Sequence, residues 1–328
     1  MKVISFADIK DLGLDPLTCI EWVDGALRNK GDAQLPPKVS IRPNHTQDGT
    51  FVNTMPCYVG FEGRGGVKVV SRYPGRVPAL SSEILLYDSL SGECLALMDG
   101  DWITTMRTGA VAAHVIRHLA VSGFTRLGFM GLGNTAMSSL ACIAALFSNR
   151  ELEVGLLRYK DQAQEFAKRF ETLENVKFHV VDDVESLARS SQVLVSCVTS
   201  APGEFCEPEA FAPGSLLVPI HTRGFMSCDL AFDRIVCDDE GHVSSFGYYP
   251  QFKHKLVEMS DVLLGNEPGR ESDDQRIIAY NIGIALHDMV FASNLRHACG
   301  RRALGGAERG PFETLVLIHW IDARLRGD

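Results

Sequence analysis

The feature of this sequence that most constrains its fold is an apolar run that ends in closely spaced glycines. Residues 127–136 read LGFMGLGNTA, and a helix-compatible segment continues from there to Phe147. This order of strand, tight turn and helix is typical of the first βα unit of a dinucleotide-binding fold. Gly131 and Gly133 allow the turn and let backbone N–H groups approach a pyrophosphate, while the helix N-terminus contributes partial positive charge. Ala136 stands where a third small residue would pack the helix against the strand.

The segments that follow alternate between strand-like and helix-like patterns from about residue 120 to residue 285. Continuous apolar runs, typical of strands buried on both faces, occur at 154–159, 178–181, 193–198, 216–220 and 234–237. Helical patterns occur at 161–170, at 184–189 and, as one long helix, at 272–297. This alternation predicts an α/β fold with a Rossmann-type, doubly wound parallel sheet.

Residues 1–118 have a different pattern. Asp15 and Pro16 form an N-cap and first-turn pair, and the helix that they begin ends before Gly31. Period-two runs then predict short strands, at 38–42, 50–55, 67–71, 83–87 and 93–98. A further helix is predicted from Asp101 towards Leu119. An α+β domain is therefore expected to precede the parallel sheet.

Composition excludes several classes of function. The net charge of −9 and the lack of any Lys/Arg block argue against a nucleic-acid-binding surface. No apolar run approaches the roughly 18 residues of a membrane span, and the N-terminal residues lack a signal-peptide pattern. A cytoplasmic protein without membrane contact is therefore expected. The nine cysteines lack the spacing of a zinc site or a disulfide framework, so no metal site is predicted.

Several stretches, in this order along the chain, resemble the ornithine cyclodeaminase and mu-crystallin family. They are Met55-Pro56 followed by GVKVVS at 66–71, LMDGDWITTMRTGA at 97–110, the glycine turn at 131–133 and the late segment NIGIALHD at 281–288. The resemblance covers most of residues 1–298. Its most specific part is the pair Arg107-Thr108, at a fixed distance before the glycine turn.

The resemblance implies a homodimeric enzyme with two domains. Residues 1–118, together with about 284–328, would form the substrate-binding and dimerisation domain, and residues 119–283 would form the NAD(P)-binding Rossmann domain. Members of the family include cyclodeaminases, alanine dehydrogenases, ketimine and pyrroline-carboxylate reductases, opine-like amino acid synthases and a thyroid-hormone-binding crystallin. They share a small amino- or imino-acid substrate and the movement of a hydride at its α-carbon.

Arg42, Lys68 and Arg107 match the carboxylate-binding cations of the family. Two guanidinium groups and an ammonium group on separate elements of one small domain would hold a carboxylate and orient the α-carbon next to it. Lys68 lies inside an apolar strand, where burial would lower its pKa and favour a role in proton transfer. His221, at the predicted end of a strand of the parallel sheet, is the other candidate for the proton.

Two positions depart from the cyclodeaminase pattern. A glutamate that holds the distal amine of ornithine is replaced by Asn53, and the catalytic aspartate is replaced by Arg223, unless Asp229 serves instead. Without both acids, the cationic side chain of a diamino acid would lack its counter-ion. Arg72 and Arg76 follow a strand of the first domain and, if they converge with Arg223, would favour a substrate with a second acidic group.

Cofactor contacts are predicted around the glycine turn and at the strand ends of the parallel sheet. An acid at the end of the second Rossmann strand would hold the 2′-hydroxyl of NAD, whereas cations there accommodate the 2′-phosphate of NADP. Arg158 and Lys160 favour NADP, although Asp161 leaves NAD open. The remaining candidates lie near the nicotinamide or in the glycine turn: Thr108, Asn134, Thr135, Thr199 and Ser200.

The sequence therefore predicts an NAD(P)-dependent oxidoreductase that acts on the C–N bond of an amino or imino acid, as an imine reductase, an amino acid dehydrogenase or an opine-type synthase. Two alternatives stay open. A cyclodeaminase would oxidise the α-amine, close a ring with loss of ammonia and return the hydride. A non-catalytic, NADPH-dependent binding protein of the crystallin type would not need all three carboxylate-binding cations, so their presence favours an enzyme.

Overall fold

The structure, a computed structural model, describes residues 1–199, 201 and 203–303, with only the backbone described at 302 and 303. The chain divides into two units. Unit 1 contains Met1–Arg107 and the chain from Ile284 onwards, and unit 2 contains Thr108–Gly283. The first boundary between the units lies inside a helix, and the second directly follows Gly283.

Unit 1 is built on a sheet of seven strands. Its elements up to the unit boundary are β1 (Lys2–Ile4), α1 (Phe6–Lys10), α2 (Pro16–Arg28), β2 (Ala33–Gln34), β3 (Val39–Ile41), β4 (Phe51–Val59), β5 (Arg64–Arg72), β6 (Leu80–Asp88), β7 (Cys94–Asp99) and the first part of α3 (Asp101–Leu119). The strand order is β1-β7-β6-β5-β4-β2, and β3 also pairs with β4. Strand β1 is parallel to β7, and the other pairs are antiparallel.

One face of this sheet forms the core of unit 1. Met55, Lys68 and Ile84 lie opposite one another on β4, β5 and β6, and all three are buried. The period-two alternation of the sequence places them on one face, because successive side chains of a strand point to opposite sides. A lysine therefore stands in the middle of a buried apolar row.

Unit 2 is a parallel sheet of eight strands with helices between them. After α3, its elements are β8 (Arg126–Met130), α4 (Asn134–Leu146), β9 (Leu152–Leu157), α5 (Gln162–Arg169), β10 (Val176–Val181), α6 (Val184–Ser190), β11 (Val193–Ser196), β12 (Leu216–Pro219), α7 (Met226–Ala231), β13 (Arg234–Cys237), α8 (Glu240–Val243), α9 (Tyr249–Phe252), β14 (Leu256–Glu258), α10 (Met259–Leu264) and β15 (Ile277–Tyr280). The strand order is β10-β9-β8-β11-β12-β15-β13-β14, so the order reverses beside β8, as at the switch point of a doubly wound fold. The predicted fold class is confirmed.

The long helix predicted at 272–297 is wrong in its first half. Residues Ile277–Tyr280 form β15, which is inserted between β12 and β13, and the helix α11 (Ala285–Ala303) begins only after them. All four residues of β15 are buried, and a short apolar run of this kind has no periodicity that separates a strand from a helix. Gly283, at φ 86°, makes the turn between the two elements.

Helix α11 returns to unit 1 and packs on β4, β5 and β6. Gly66 on β5 permits this close approach, because a Cβ at that position would lie 2.6 Å from the Met289 sulfur. The rings of Trp22 and Phe291 meet edge to face at 5.0 Å and join α2 to α11. The late segment of the chain therefore completes the core of the first unit.

Helices α3 and α11 have 19 residues each, which is long enough to reach across a bilayer core. Both carry charged residues along their length, and α11 contains Asp288 and Arg296. Among the residues that the structure describes, none of the helices is sufficiently apolar over a sufficient length to cross a membrane.

Candidate active site

Three charged side chains meet inside unit 1. Lys68 projects from β5, Arg107 from α3 and Asp288 from the first turn of α11. The Lys68 Nζ lies 2.6 Å from the Asp288 Oδ2, and the Arg107 Nε lies 3.2 Å from the Asp288 Oδ1. The exposed fraction is 8% for Arg107, 1% for Lys68 and 0% for Asp288. These three residues are called the buried charge cluster below.

The position of each member follows from its element. Lys68 and Val70 are two residues apart and lie on the same, buried side of β5, so the Lys68 side chain points into the core. Asp288 lies in the first turn of α11, where the positive end of the helix dipole favours a carboxylate. Arg107 lies in α3 and ends the first segment of unit 1. Three distant parts of the sequence therefore supply one cluster.

Burial dominates the electrostatics of the cluster. Desolvation lowers the pKa of Lys68 to about 8, while Asp288 opposes this shift and Arg107 adds to it. Near neutral pH the cluster therefore carries two positive charges and one negative charge. Because buried charges are costly unless they are paired, the excess positive charge makes the cluster a candidate site for an anionic ligand.

The other two predicted substrate residues of unit 1 lie on or beside β3 and β4. Asn53 accepts a hydrogen bond of 2.7 Å from the Ser40 hydroxyl, and the strand register places it on the same face of the sheet as Lys68. Arg42 is exposed, one residue beyond the end of β3. The structure therefore brings Lys68 and Arg107 together at one carboxylate and leaves Arg42 on the surface.

Arg72 and Arg76 bind the backbone of their own unit. The Arg72 guanidinium donates to the Gly49 carbonyl at 2.9 Å. The Arg76 guanidinium donates to the carbonyls of Ser71 at 3.3 Å and Pro78 at 3.2 Å. These bonds hold both guanidinium groups on backbone carbonyls of unit 1, so neither arginine supports the predicted site for a second acidic group.

Asp288 is the member of the cluster that sequence reasoning missed. The signal was a lone acid in segment 284–292, IALHDMVFA. Apart from Asp288 and the adjacent His287, this segment contains only apolar or small residues. A carboxylate in such a segment needs a buried partner. Burial was already expected for Lys68, so a pairing of this acid with Lys68 could have been proposed from the sequence.

The glycine turn of unit 2 has the geometry of an anion site. Gly131 has φ 76°, and a Cβ there would lie 2.5 Å from the backbone of Cys197 and Val198. Gly133 is the N-cap of α4 and provides no side-chain cap, so the first N–H groups of the helix can bind an external acceptor. A Cβ at Gly133 would lie within 4 Å of no atom of the described residues, apart from its neighbours in the chain. Both the space and the donors fit a pyrophosphate.

The first turn of α4 consists of Asn134, Thr135 and Ala136. Ala136 is fully buried, in agreement with a small residue packed between helix and strand. The Thr135 carbonyl accepts hydrogen bonds from the hydroxyls of Ser138 and Ser139, at 3.0 and 2.7 Å. These hydroxyls therefore face the helix backbone rather than a ligand.

Three further predicted cofactor residues are distributed over unit 2. Thr108 is buried in α3. Thr199 is exposed in the segment that follows β11. Ser200 lies outside the residues that the structure describes. The cofactor roles of all three stay predictions.

His221 lies just beyond the carboxyl end of β12, and its Nε2 is 2.6 Å from the hydroxyl of Ser196 at the end of β11. The rings of Phe205 and Phe225 lie next to it, with centroids 6.2 and 6.1 Å away. Burial lowers the pKa of His221 to about 4, so the imidazole is neutral near pH 7. A neutral imidazole of this kind forms hydrogen bonds but is a poor proton donor. The lowered pKa of His221 therefore weighs against its predicted role as proton donor, and Lys68 is the other predicted candidate.

The segment after β12 contains both candidates for the aspartate position. Arg223 is exposed. Asp229 is 1% exposed and accepts a hydrogen bond of 2.5 Å from the Tyr280 hydroxyl, and burial raises its pKa to about 7. This bond ties α7 to β15 and keeps the carboxyl group out of solvent. Asp229 is therefore a structural residue, and its predicted alternative role as the catalytic aspartate is not supported.

Asn281 is a second residue that sequence reasoning missed. It follows β15 directly, its exposed fraction is 4%, and its backbone N–H donates to the Pro219 carbonyl at 3.3 Å. Its Nδ2 is buried and has no hydrogen-bond partner within the described residues, although buried amide donors normally have one. The sequence prediction placed Asn281 inside a helix, whereas the structure places it at the carboxyl edge of the parallel sheet, where such folds bind ligands.

The segment after β9 carries the residues predicted to select the cofactor. Arg158 Nε lies 2.5 Å from Asp182 Oδ1 in an exposed ion pair. Lys160 has φ 51°, and its ammonium lies 5.6 Å from the centroid of the Tyr159 ring. Asp161 is the N-cap of α5 without a side-chain cap bond. Two cations and two acids therefore lie at this strand end.

Comparison with known proteins assigns the chain to a family. Residues 4–300 match the profile of the Ornithine cyclodeaminase/mu-crystallin family, which covers both units. The chain belongs to this family. The predicted resemblance is confirmed over nearly the whole length of the chain.

Two relatives are similar to this family member in sequence, and one solved structure is similar to it in fold. It is 30% identical to the ketimine reductase mu-crystallin of Rattus norvegicus, over 74% of this chain and 78% of that protein. It is 25% identical to the nodulation efficiency protein NfeD of Rhizobium meliloti, over 93% of this chain and 97% of that protein. The structure of the Thermococcus litoralis Δ1-pyrroline-2-carboxylate reductase, solved with NADH and L-proline, matches with a TM-score of 0.81 at 22% identity and covers 94% of this chain and all of that one.

Proposed function

We propose that this member of the family is an NAD(P)-dependent oxidoreductase that reduces the C=N bond of an imino acid or oxidises the corresponding amino acid. The observation that carries the proposal is the excess positive charge of the buried charge cluster, which matches the carboxylate that all such substrates share. The names of two relatives, a ketimine reductase and a pyrroline-carboxylate reductase, support the same reaction class. The glycine turn supports the nicotinamide cofactor.

In the proposed complex, the cluster binds the α-carboxylate of the substrate. Arg107 contributes a guanidinium group, which can bind a carboxylate through two parallel hydrogen bonds. Arg42, exposed beyond β3, adds a third positive charge to the same unit. Holding the carboxylate fixes the position of the neighbouring α-carbon. The entropy cost of orienting the substrate is then met on binding and not in the chemical step.

Lys68 supplies the proton in the proposed reaction. Its pKa of about 8 keeps it mostly protonated near neutral pH, yet low enough to release the proton readily. A bound nicotinamide supplies the hydride. His221 and Asn281 lie at the carboxyl edge of the parallel sheet and are proposed to contact the ligand there through hydrogen bonds rather than by proton transfer.

We further propose that NADP is preferred over NAD. The cations Arg158 and Lys160 at the end of β9 suit a 2′-phosphate. Asp182 holds the Arg158 guanidinium in place, but both partners are exposed, so the ion pair is weak and a phosphate can compete with it.

Replacing Arg158 by alanine tests this preference. A charge-assisted hydrogen bond contributes about 1.5–3 kcal/mol, so the KM for NADPH is expected to rise about tenfold or more, while the KM for NADH changes little. Steady-state kinetics with both cofactors measure the ratio. Arg189→Ala is the matched control, because Arg189 is an exposed arginine paired with Glu185 on α6. Equal changes for the two cofactors would refute the preference.

The second half of the substrate is proposed to be acidic rather than basic. The amide oxygen of Asn53 is already held by Ser40, and we propose that the exposed Arg223 takes the position of the aspartate of cyclodeaminases. A cationic side chain would find no carboxylate partner at either position, whereas a second carboxylate would suit Arg223. The substrate class expected from this argument is a dicarboxylate imine or an opine-type adduct.

We also propose that the protein is a homodimer formed through the outer face of the unit 1 sheet. Val39 and Ile41 on β3 and Tyr58 on β4 are 61%, 56% and 38% exposed. The strand register places all three on the face opposite the buried charge cluster. Exposed apolar side chains gathered on one sheet face indicate an interaction surface.

The variant Ile41→Asp tests the dimer. A charge on this face would be buried at the interface, and the expected result is a shift from dimer to monomer in light scattering at micromolar concentration. Leu90→Asp is the matched control, because Leu90 is 95% exposed in a turn of the same unit. A variant Ile41→Asp that stays dimeric would place the interface elsewhere.

The reaction itself is tested by the loss of reduced-nicotinamide absorbance with the purified protein. NADPH and NADH are each combined with cyclic imino acids and with pairs of a 2-oxo acid and an amine, and ammonia release from ornithine is measured in parallel. Cofactor oxidation that depends on an imine or an oxo-acid pair is the expected result. Ammonia release from ornithine without net cofactor oxidation would instead show a cyclodeaminase, and neither activity would favour a binding protein.

A further inference from the structure

We propose that Asp288 is a positioning residue that holds the Lys68 ammonium in its protonated form and in the orientation from which it delivers a proton to the substrate nitrogen. The inference rests on the proposed reductase function. It assigns a role in proton delivery to a carboxylate that lies on a different element from every predicted catalytic residue.

Asp288 contacts both cations of the buried charge cluster. The Lys68 Nζ is 2.6 Å from the Asp288 Oδ2, a short charge-assisted contact that restricts the otherwise flexible lysine side chain. The second carboxylate oxygen lies 3.2 Å from the Arg107 Nε. Asp288 therefore sets the relative positions of the proposed proton donor and the proposed carboxylate-binding guanidinium.

Charges from three elements act on Lys68. Arg107 from α3 and Lys38 from the segment before β3 both disfavour its protonated form, and Asp288 from α11 favours it. Cys57 on β4 is a titratable group that Asp288 also affects, and burial raises its pKa to about 12, so it carries no charge near neutral pH. His287, next to Asp288, is fully buried. Among the charged groups with the largest effects on Lys68, Asp288 is the anion, and Arg107 and Lys38 are cations.

The proposed reduction uses one hydride from the cofactor and one proton from Lys68. The reduced nicotinamide transfers a hydride, with its two electrons, to the carbon of the C=N bond, and the bond to nitrogen becomes single. The Lys68 ammonium gives one proton to the nitrogen, and the amino acid leaves with both hydrogens. The neutral Lys68 amine regains a proton from water, and Asp288 makes this return favourable because it stays negatively charged next to it.

The test compares Asp288→Asn with the wild type across a range of pH. Asparagine keeps the shape but removes the charge, so two buried cations lose their shared counter-ion. The alkaline limit, which is the pH above which kcat/KM for imine reduction falls, is expected to move down by about one pH unit or more. Asp229→Asn is the matched control, since Asp229 is an equally buried carboxyl group in the other unit. Its alkaline limit should stay with that of the wild type.

A second measurement does not depend on turnover. Pyrrole-2-carboxylate, a planar carboxylate probe, is titrated calorimetrically in buffers of different ionisation enthalpy, which gives the protons taken up on binding. At pH values above the pKa of Lys68, binding of the probe should cause Lys68 to take up a proton. The pH at which this uptake is half-maximal should be lower in Asp288→Asn than in the wild type. Lys68→Met should abolish the uptake. If Asp288→Asn does not fold, Asp288→Glu replaces it. Proton uptake in Asp288→Glu that matches the wild type supports an effect of the carboxylate charge. Loss of the uptake in Asp288→Glu overturns the inference.

The outcomes separate this inference from the proposed function. A wild type that reduces no imine, but whose Lys68-dependent uptake shifts in Asp288→Asn, would remove the reductase proposal and keep the coupling between Asp288 and Lys68. A wild type that reduces imines, with an alkaline limit unchanged in Asp288→Asn, would keep the reductase and overturn the role of Asp288.

Discussion

Replacing Arg107 by alanine is expected to lower kcat/KM for the imine or amino acid by a factor of about 10² or more, while cofactor binding is retained. Arg107 carries one of the two positive charges of the buried charge cluster, and its loss leaves the cluster without net charge. A substrate carboxylate would then enter a neutral, dehydrated site and lose both its counter-charge and its orientation.

The measurement combines steady-state kinetics with cofactor binding followed by nicotinamide fluorescence. Arg28→Ala is a suitable control, because Arg28 is a partly exposed arginine of the same unit, paired with Asp24 on α2. It should keep both properties. Turnover near the wild-type level in Arg107→Ala would mean that the carboxylate binds elsewhere and that the cluster has a structural role.

Replacing Asp288 by alanine is expected to lower the free energy of unfolding by about 3–5 kcal/mol, the usual cost of leaving a buried charge without its partner. Two cations with little exposure would remain next to each other. Lys68→Met is the matched variant, because it removes one charge but leaves the ion pair between Arg107 and Asp288 in place. Its stability should be similar to that of the wild type or higher, while its turnover should be lost.

Urea denaturation across pH separates the two effects. The pKa of Lys68 falls from its ordinary 10.5 to about 8 on folding, so between these values the unfolded chain binds more protons than the folded one. The stability of the wild type relative to Lys68→Met should therefore be lowest below pH 8 and rise towards pH 10.5. A flat difference would mean that folding does not lower the pKa of Lys68, and an Asp288→Ala variant as stable as the wild type would contradict the pairing.

How much the sequence determined differs between the two units. The order of strand, glycine turn and helix at 127–147 predicted the start of the parallel sheet, because a turn at φ 76° between strand and helix requires glycine at position 131. The apolar runs that follow predicted the buried strands. The strand β15 was missed, because four buried residues can form either a strand or part of a helix until their neighbours are known.

The candidate site shows the same division. The sequence alone identified Lys68 as a cation inside an apolar strand and Arg107 as part of a specific motif, since residue type and alternation within one segment are local properties. The tertiary structure decided that both meet Asp288, that Asp229 is held by Tyr280, and that Arg72 and Arg76 bind backbone carbonyls. The physical reason is that a charge inside a protein is defined by its partners, and partners from β5, α3 and α11 come together only when the chain has folded.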